Sequence, residues 1–395
     1  MEIVVFLFWI SLFTLFYGHV GYGVLIFLLG PFLFFFRRFS RKEIRAEQPA
    51  ITIIVTAYNE EKILTKKIEN TLAINYPEDK LKIIFITDGS TDNSVQLISQ
   101  HSTIVLLHQT ERKGKYAAIK RAMGQVQTPI VVFSDANSML NKDCITYIVK
   151  QYKNPVIGGV AGEKKILHTT YASAVSKAEG FYWQYESLMK RADAAFGTVV
   201  GAAGELFSIR TSLFKELDDE IILDDFIISM QVCLQGYKIA YEPKAFAMEE
   251  SSTSLKEEAK RKIRIAAGAY QAIGYLKNAL NFLKHPLLSF QYISRRVFRW
   301  VLCPPMLIVL FLTNAVIVIA GSYHQFYNWL LLLQVLFYLF AITGWLIMRG
   351  GKQPGLLSIP FYFMFMNYCL VRGWIVFLQG RQTVLWEKSV RETSI

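Results

Sequence analysis

Three acidic sites stand at the ends of strand-like runs: Asp88 in ITDGSTD, Asp135 with Asn137 in FSDANSM, and the pair Asp224–Asp225 in ILDDF. A carboxylate and an amide one residue apart at a strand end can hold a divalent cation through oxygen atoms. The same pair also fits an Asx-turn after a strand. Two adjacent carboxylates repel, which raises one pKa toward the range of a base able to take a proton from a hydroxyl. The other reading of Asp224–Asp225 is an exposed acidic loop continuing Asp218, Asp219 and Glu220. The apolar run Phe226-Ile-Ile that follows favours burial of one carboxylate. Arg112, Lys113 and Lys115 bracket Gly114 just before the helical run Tyr116–Met123. Cations at a helix start want an anion nearby, and a diphosphate is one candidate; a solvated basic loop is the other.

These groups need a scaffold, and the stretch from Ala50 to Glu250 supplies an alternation of β-rich runs and helical periods. Ile51–Ala57, Lys82–Thr87, Thr103–His108 and Ile130–Ser134 are apolar and β-branched, with helical stretches such as Glu60–Thr71 and Ser94–Gln100 between them. That order predicts an α/β domain with a mostly parallel sheet and helices on both faces. Ligands of such sheets bind beyond the carboxyl ends of the strands, where Tyr58–Glu60, Asp88 and Asp135 all fall.

Apolar sequence flanks this domain on both sides. Ile3–Phe36 exceeds the ~20 residues of one membrane span. It predicts one tilted span with an interfacial extension, a retained anchor over 1–36, rather than a hairpin at Gly18, Gly21 and Gly23. Arg37, Arg38, Arg41, Lys42 and Arg45 follow at once and place the next domain in the cytoplasm by the positive-inside rule. Residues 255–299 are basic and amphipathic and predict interfacial helices. Val301–Ala320 and Trp329–Met348 then predict two spans within a membrane region over 301–379. Gly355–Leu378, interrupted by Asn367 and Arg372, reads equally as a span or as a re-entrant or interfacial helix. The net charge of +12 gathers beside the apolar segments, which points to an anionic membrane surface and away from nucleic acid. The four cysteines are scattered singly, with neither a zinc spacing nor a disulfide framework, as suits a reducing compartment.

Taken together, VTAYNEE (55–61), TDGSTD (87–92), SDAN (134–137) and LDDF (223–226) resemble the family 2 glycosyltransferases over about Ala50 to Gly274. The likeness extends loosely to cellulose, chitin and hyaluronan synthase-like members. It implies a GT-A domain (Rossmann-like and nucleotide-sugar-binding) at 50–250, cytoplasmic, with transmembrane helices at both termini. It further implies an inverting glycosyltransferase of the inner (plasma) membrane, multi-pass, using a nucleotide diphosphate sugar (UDP-sugar by default) and Mg2+ or Mn2+. The acceptor so implied is lipid-linked or a growing glycan, in cell-surface polysaccharide synthesis, with a polysaccharide-assembly complex as a partner. A processive polysaccharide synthase and an inactive nucleotide-sugar-binding subunit are the alternatives.

By the same resemblance, Thr56, Tyr58, Glu60 and Asp88 contact the nucleotide, and Asp135 with Asn137 holds the metal. Lys113 and Lys115 are the diphosphate candidates, Gly201 and Gly204 belong to the acceptor-side loop, and Asp225 beside Asp224 is the catalytic base. Arg264 matches an arginine that neutralises the leaving diphosphate, with Arg261 nearby. Departures are visible: Asn137 stands for a second aspartate, and Arg261 and Ile265 replace a glutamine and a tryptophan typical of processive members. Tyr182, Trp183, Tyr185 and Glu186, on a predicted helix, read as either sugar support or packing.

Overall fold

A computed structural model describes residues 1–38, 48–167, 174–250, 255–321, 324–350, 352 and 354–385, the side chains of 31–38, 167, 174–179, 181 and 182 aside. Arg41, Lys42 and Arg45 lie outside the described residues. The chain folds as α1 (Glu2–Phe16), α2 (Tyr22–Arg38), β1 (Ile51–Ala57), α3 (Glu61–Leu72), β2 (Leu81–Asp88), α4 (Ser94–Ser99), β3 (Ile104–Gln109), α5 (Lys115–Met123), β4 (Ile130–Asp135) and β5 (Ser138–Leu140). It continues through α6 (Cys144–Gln151), β6 (Ile157–Leu167), α7 (Ala174–Phe196), β7 (Phe207–Arg210), α8 (Asp224–Leu234), β8 (Lys238–Glu250) and α9 (Leu255–Tyr275). Four helices close it: α10 (Pro286–Tyr292), α11 (Cys303–Ile319), α12 (Gln325–Arg349) and α13 (Ser358–Leu378).

The strands form one eight-stranded sheet in the order β3-β2-β1-β4-β7-β6-β8-β5. The first four are mutually parallel, as the sequence predicts. Every residue of β1 is buried, as befits a parallel strand covered on both faces. Its alternation divides the core: Ile53 and Val55 meet Leu64 and Ile68 of α3, while Ile54 joins Ile119 of α5 and Ile227 of α8. Beyond β4 the sheet becomes mixed. β7 is antiparallel to both β4 and β6, β8 pairs in parallel with β6, and β5 returns antiparallel on β8. Parallel register sets Thr56 opposite Asp135, so the loops after β1 and β4 open side by side.

Among the described residues four helical runs are long and apolar enough to cross a membrane: Glu2–Gly30, Pro286–Ile319, Gln325–Arg349 and Gly355–Leu378. The first is continuous, because a π-helical segment Tyr17–Gly21 joins α1 to α2 without a break. The stretch expected as interfacial helices over 255–299 divides. α9 is a wall of the globular domain, whereas α10 runs through a π-helical segment, Ile293–Leu302, into α11. The helix carrying the apolar run from Val301 therefore begins at Pro286. Three arginines hold this extension down: Arg295 pairs with Glu186 at 2.8 Å and Asp193 at 3.2 Å, and Arg299 with Glu186 at 3.1 Å. Arg296 donates to the Val200 carbonyl at 3.1 Å, and Tyr22 to Asp193 at 2.6 Å.

Helix α13 leads from the end of α12 to the cavity. Its first turns sit against Gly344 and Met348 near the end of α12, and its last residues lead to Arg381–Leu385 in the wall of the functional cavity. The opposite end of α12 packs against Phe8 and Trp9. Between these ends α13 lies along α9, with Phe361 and Phe365 packed with Leu255, Ala259 and Ile263, and Gly373 against Ala266.

Candidate functional site

A cavity of about 580 Å³ opens at the carboxyl ends of β1 and β4. Thr56 near the end of β1 lines it with Tyr58 and Glu60 just beyond, Asp135 ends β4 with Asn137 after it, and Lys115 enters from the first turn of α5. The loop before β7 supplies Gly204 and Glu205, the start of α8 supplies Asp224 and Asp225, and α9 supplies Arg261 and Arg264. Local chemistry fixes these positions. Asn59 takes a left-handed conformation, φ 53°, which asparagine tolerates. It accepts a hydrogen bond from the Thr91 amide at 2.8 Å and so ties the turn after β1 to the turn after β2.

Three of the expected site residues stand outside the cavity wall. Asp88 is buried behind it, and its carboxylate accepts from the backbone amides of Lys113 (3.0 Å) and Gly114 (2.8 Å). It shapes the turn that delivers Lys115, with Gly114 at φ 100°. Lys113 points outward and pairs with Glu111 at 3.0 Å. Gly201, at φ 85°, lies against the Phe226 ring, where a side chain would collide. Trp183, Tyr185 and Glu186 serve packing: Trp183 lies beneath Lys164, Tyr185 donates to the His19 carbonyl, and Glu186 takes the arginines described above.

At the centre of the cavity charge is dense. Lys115 Nζ lies 2.6 Å from Asp135 and 3.6 Å from Asp224. Gly204 leaves room for this cluster. A Cβ there would stand 2.9 Å from Lys115 Nζ, 3.3 Å from Asp225 Oδ2 and 3.4 Å from Asp135 Oδ2. Burial would lower the Lys115 pKa, but the carboxylates of Asp135, Asp224 and Asp225 outweigh it and raise it. Burial pushes Asp225 up to about 7, helped by the charges of Asp224 and Glu205 and opposed by Lys115. Asp135 is raised by burial and by Glu205, against Lys115. Burial lowers Arg264, which forms no hydrogen bond or close ion pair among the described residues.

Sequence reasoning missed several contributors. Lys67 is fully buried beneath the turn after β4, donating to Ser134 Oγ at 2.8 Å and the Ser138 carbonyl at 2.6 Å. Burial lowers its pKa to about 7. Its signal was available, since Lys67 shares a helical face with Leu64, Ile68 and Thr71. Glu205 reaches the cavity from a buried ion-paired trio with Lys164 and Glu249. The Arg112 guanidinium stacks 3.6 Å over the Tyr58 ring.

A divalent cation fits the residues present only with help from a ligand. The Asn137 side-chain oxygen is buried with no hydrogen-bond partner among the described residues, and Asn137 lines the same cavity as Asp135. No group of three or more His, Cys, Asp or Glu placed to hold a metal occurs among the described residues. Two oxygen ligands completed by substrate phosphates is the pattern magnesium adopts in phosphate-transferring sites.

A strand order of 3-2-1-4 followed by a mixed half, with acidic groups at the carboxyl edge, defines a GT-A domain, here attached to apolar helices at both ends. Residues 49–268, more than half of the chain, match the model of the family described as glycosyltransferase like family 2, and the chain belongs to that family. Poly-beta-1,6-N-acetyl-D-glucosamine synthase of Staphylococcus aureus (strain COL) is 27% identical over 263 residues, and the Staphylococcus epidermidis enzyme of that name is 24% identical over the same length. Each alignment covers 62% of this chain and 62% of the relative, so the match spans under two thirds of these relatives' length. Among solved structures, the mannosyltransferase PcManGT from Pyrobaculum calidifontis, determined with GDP-Man and Mn2+, superposes with a TM-score of 0.65 at 19% identity. That superposition covers 95% of this chain and 99% of that one, a likeness of fold.

Proposed function

We propose that the chain transfers a sugar from a nucleotide diphosphate sugar to an acceptor hydroxyl, with inversion at the anomeric carbon. One observation carries this: Lys115, Asp135 and Asp225 converge on the space that Gly204 leaves open. Lys115 and Arg264 hold the diphosphate. Asp225 takes the acceptor proton as the hydroxyl oxygen bonds the anomeric carbon and the bond to diphosphate breaks. A single displacement of this kind inverts the centre. Its pKa of about 7 suits a base working near neutrality. Asp135 and Asn137 would hold magnesium or manganese, which supplies positive charge against the departing diphosphate. Thr56, Tyr58 and Glu60 line the nucleotide side, and Asp88 acts there through the turn it shapes.

The names of the staphylococcal relatives favour an N-acetylhexosamine donor and a place in cell-surface polysaccharide synthesis, and the family resemblance makes uridine the default base. The catalytic domain at 50–250 sits on the cytoplasmic face of the cell membrane, anchored by 1–36 and the C-terminal helices, and serves a lipid-linked or growing glycan acceptor. The names of those relatives also support a second reading, a processive synthase, which product length separates: single-sugar products exclude it. The first experiment is release of nucleotide diphosphate from a panel of nucleotide sugars, with and without manganese, by detergent-solubilised protein. Release from one donor that is lost in Asp225→Asn and in Asp135→Ala is expected. Full turnover by Asp225→Asn would overturn the mechanism, and donor binding without turnover for any acceptor would favour an inactive nucleotide-sugar-binding subunit of an assembly complex.

A further inference from the structure

Glu205 is held at its backbone and at one carboxylate oxygen, and its other oxygen is unused. Its carbonyl accepts from Ser138 Oγ at 3.1 Å and from Ser134 Oγ at 3.2 Å, on either side of the turn that carries Asp135 and Asn137. The carbonyl of Leu206 accepts from the Gly162 amide at 3.0 Å, which ties the same loop to β6. Glu205 Oε1 takes the buried ammonium of Lys164, which Glu249 shares. Burial would raise the Glu205 pKa, but Lys164 outweighs it and lowers it, so the carboxyl is ionised. Oε2 is buried and has no hydrogen-bond partner among the described residues, although Glu205 lines the cavity. A charged acceptor out of water and without a donor is costly, and a substrate that supplies the donor removes that cost.

Its place in the cavity says which donor it meets. At the preceding residue, Gly204, a Cβ would stand 3.3 Å from Asp225 Oδ2 and 3.4 Å from Asp135 Oδ2, so Glu205 follows directly on the point where these two draw together. Its charge helps to raise the pKa of both. In the transfer reading above, the diphosphate lies on the side of Lys115 and Asp135, and the acceptor hydroxyl lies at Asp225. The anomeric carbon passes from one to the other, so the ring being transferred lies between them, beside Glu205. Resting on that reading, we infer that Glu205 is a specificity-determining residue whose Oε2 accepts a hydrogen bond from a hydroxyl of the transferred sugar. A site built to pair a substrate hydroxyl rejects the analogue that lacks it. With a charged partner, that rejection amounts to about ten- to a hundredfold in affinity.

The test compares UDP-N-acetylglucosamine, UDP-glucose, UDP-galactose and GDP-mannose with their monodeoxyfluoro analogues, in which fluorine fills the place of one hydroxyl and donates nothing. Donor binding and kcat/KM for nucleotide diphosphate release are both measured on the detergent-solubilised full chain. The parent should prefer one donor over one of its analogues by about ten- to a hundredfold. That preference should fall nearly to one in Glu205→Ala, which leaves Lys164 paired with Glu249. It should fall as far in Glu205→Gln, where Lys164 claims the single amide oxygen and the NH2 turns toward the sugar. Fluorine changes intrinsic reactivity equally in parent and variants, so that effect cancels. Affinity for the free nucleotide diphosphate, which carries no sugar, should stay unchanged and reports a folded site. A parent without preference, a preference kept in both variants, or loss of nucleotide diphosphate binding in both would overturn the inference. So would a raised manganese requirement with the preference intact, which would make Glu205 a cation ligand. Release with the preference intact removes the role of Glu205 and keeps the transferase. A preference in binding that depends on Glu205, without release for any acceptor, does the reverse.

Discussion

The pH dependence of turnover tests the role of Asp225 most directly. Its carboxyl is pushed up to about 7 by burial, then by Asp224 and Glu205, against the pull of Lys115. A base with that pKa is ionised in about one molecule in eleven at pH 6 and about ten in eleven at pH 8, so kcat/KM should rise roughly tenfold across that interval. The quantity to measure is kcat/KM for donor turnover from pH 5.5 to 8.5, because it reports the free enzyme. Asp224→Asn removes a neighbouring negative charge and should move the midpoint down. A second consequence concerns stability. An aspartate with pKa raised from 3.8 to about 7 binds more protons folded than unfolded between those values. Its contribution to stability therefore falls as pH rises through that window, by up to roughly 4 kcal/mol. Asp225→Asn, which carries no charge to bury, should unfold at a higher temperature than the parent at pH 8 while losing turnover. A flat profile between pH 6 and 8, or a midpoint that climbs in Asp224→Asn, would refute the assignment of the base.

Other consequences are narrower. Asn137→Asp places a second charged oxygen beside Asp135, so the manganese concentration giving half-maximal nucleotide release should fall roughly tenfold, read by metal titration. Gly204→Ala sets a methyl 2.9 Å from Lys115 Nζ, the mobile end of a long side chain. Folding should therefore hold while kcat drops by about a hundredfold, through displacement of Lys115 from Asp135. Arg295→Met strips a fully buried guanidinium from Glu186 and Asp193 and should cost about 3–5 kcal/mol in detergent unfolding. Arg299→Met, at a partly exposed site, should cost less.

The parallel half of the sheet was legible because its strands are written in one idiom, short β-branched runs closed by turn residues. Ile51–Ala57 was read with its observed ends, and β2, β3 and β4 within a residue or so. Strands β5, β6, β7 and β8 carry no such signature, and β6 shows why. Its start reads Gly158-Gly159-Val160-Ala161-Gly162, residues that weaken a strand taken alone. The glycines answer distant chain: a Cβ on Gly159 would lie 2.6 Å from Ile239 and one on Gly162 2.9 Å from the Ala245 carbonyl. Close approach between elements eighty residues apart leaves no periodic mark.

The same distinction runs through the site. Residues brought to the cavity by their place at a strand end or helix start, Tyr58, Asp135, Lys115 and Asp225, could be read from local pattern and resemblance, as could Arg264 on a helical face. Residues whose work depends on what another element brings could not. Asp88 and Gly201 carry the family's spelling, yet one holds a backbone turn and the other admits a phenylalanine ring. Glu205 looks like an ordinary loop acid until β6 and β8 bring Lys164 and Glu249 against it. The C-terminal stretch Arg381–Leu385, which carries no motif in sequence, completes the cavity because α13 leads it there, setting Val384 against Gly114. Asp225 therefore owes its raised pKa to burial first, then to Asp224, adjacent in sequence, and to Glu205, which reaches it only through the closure of the fold, against the pull of Lys115.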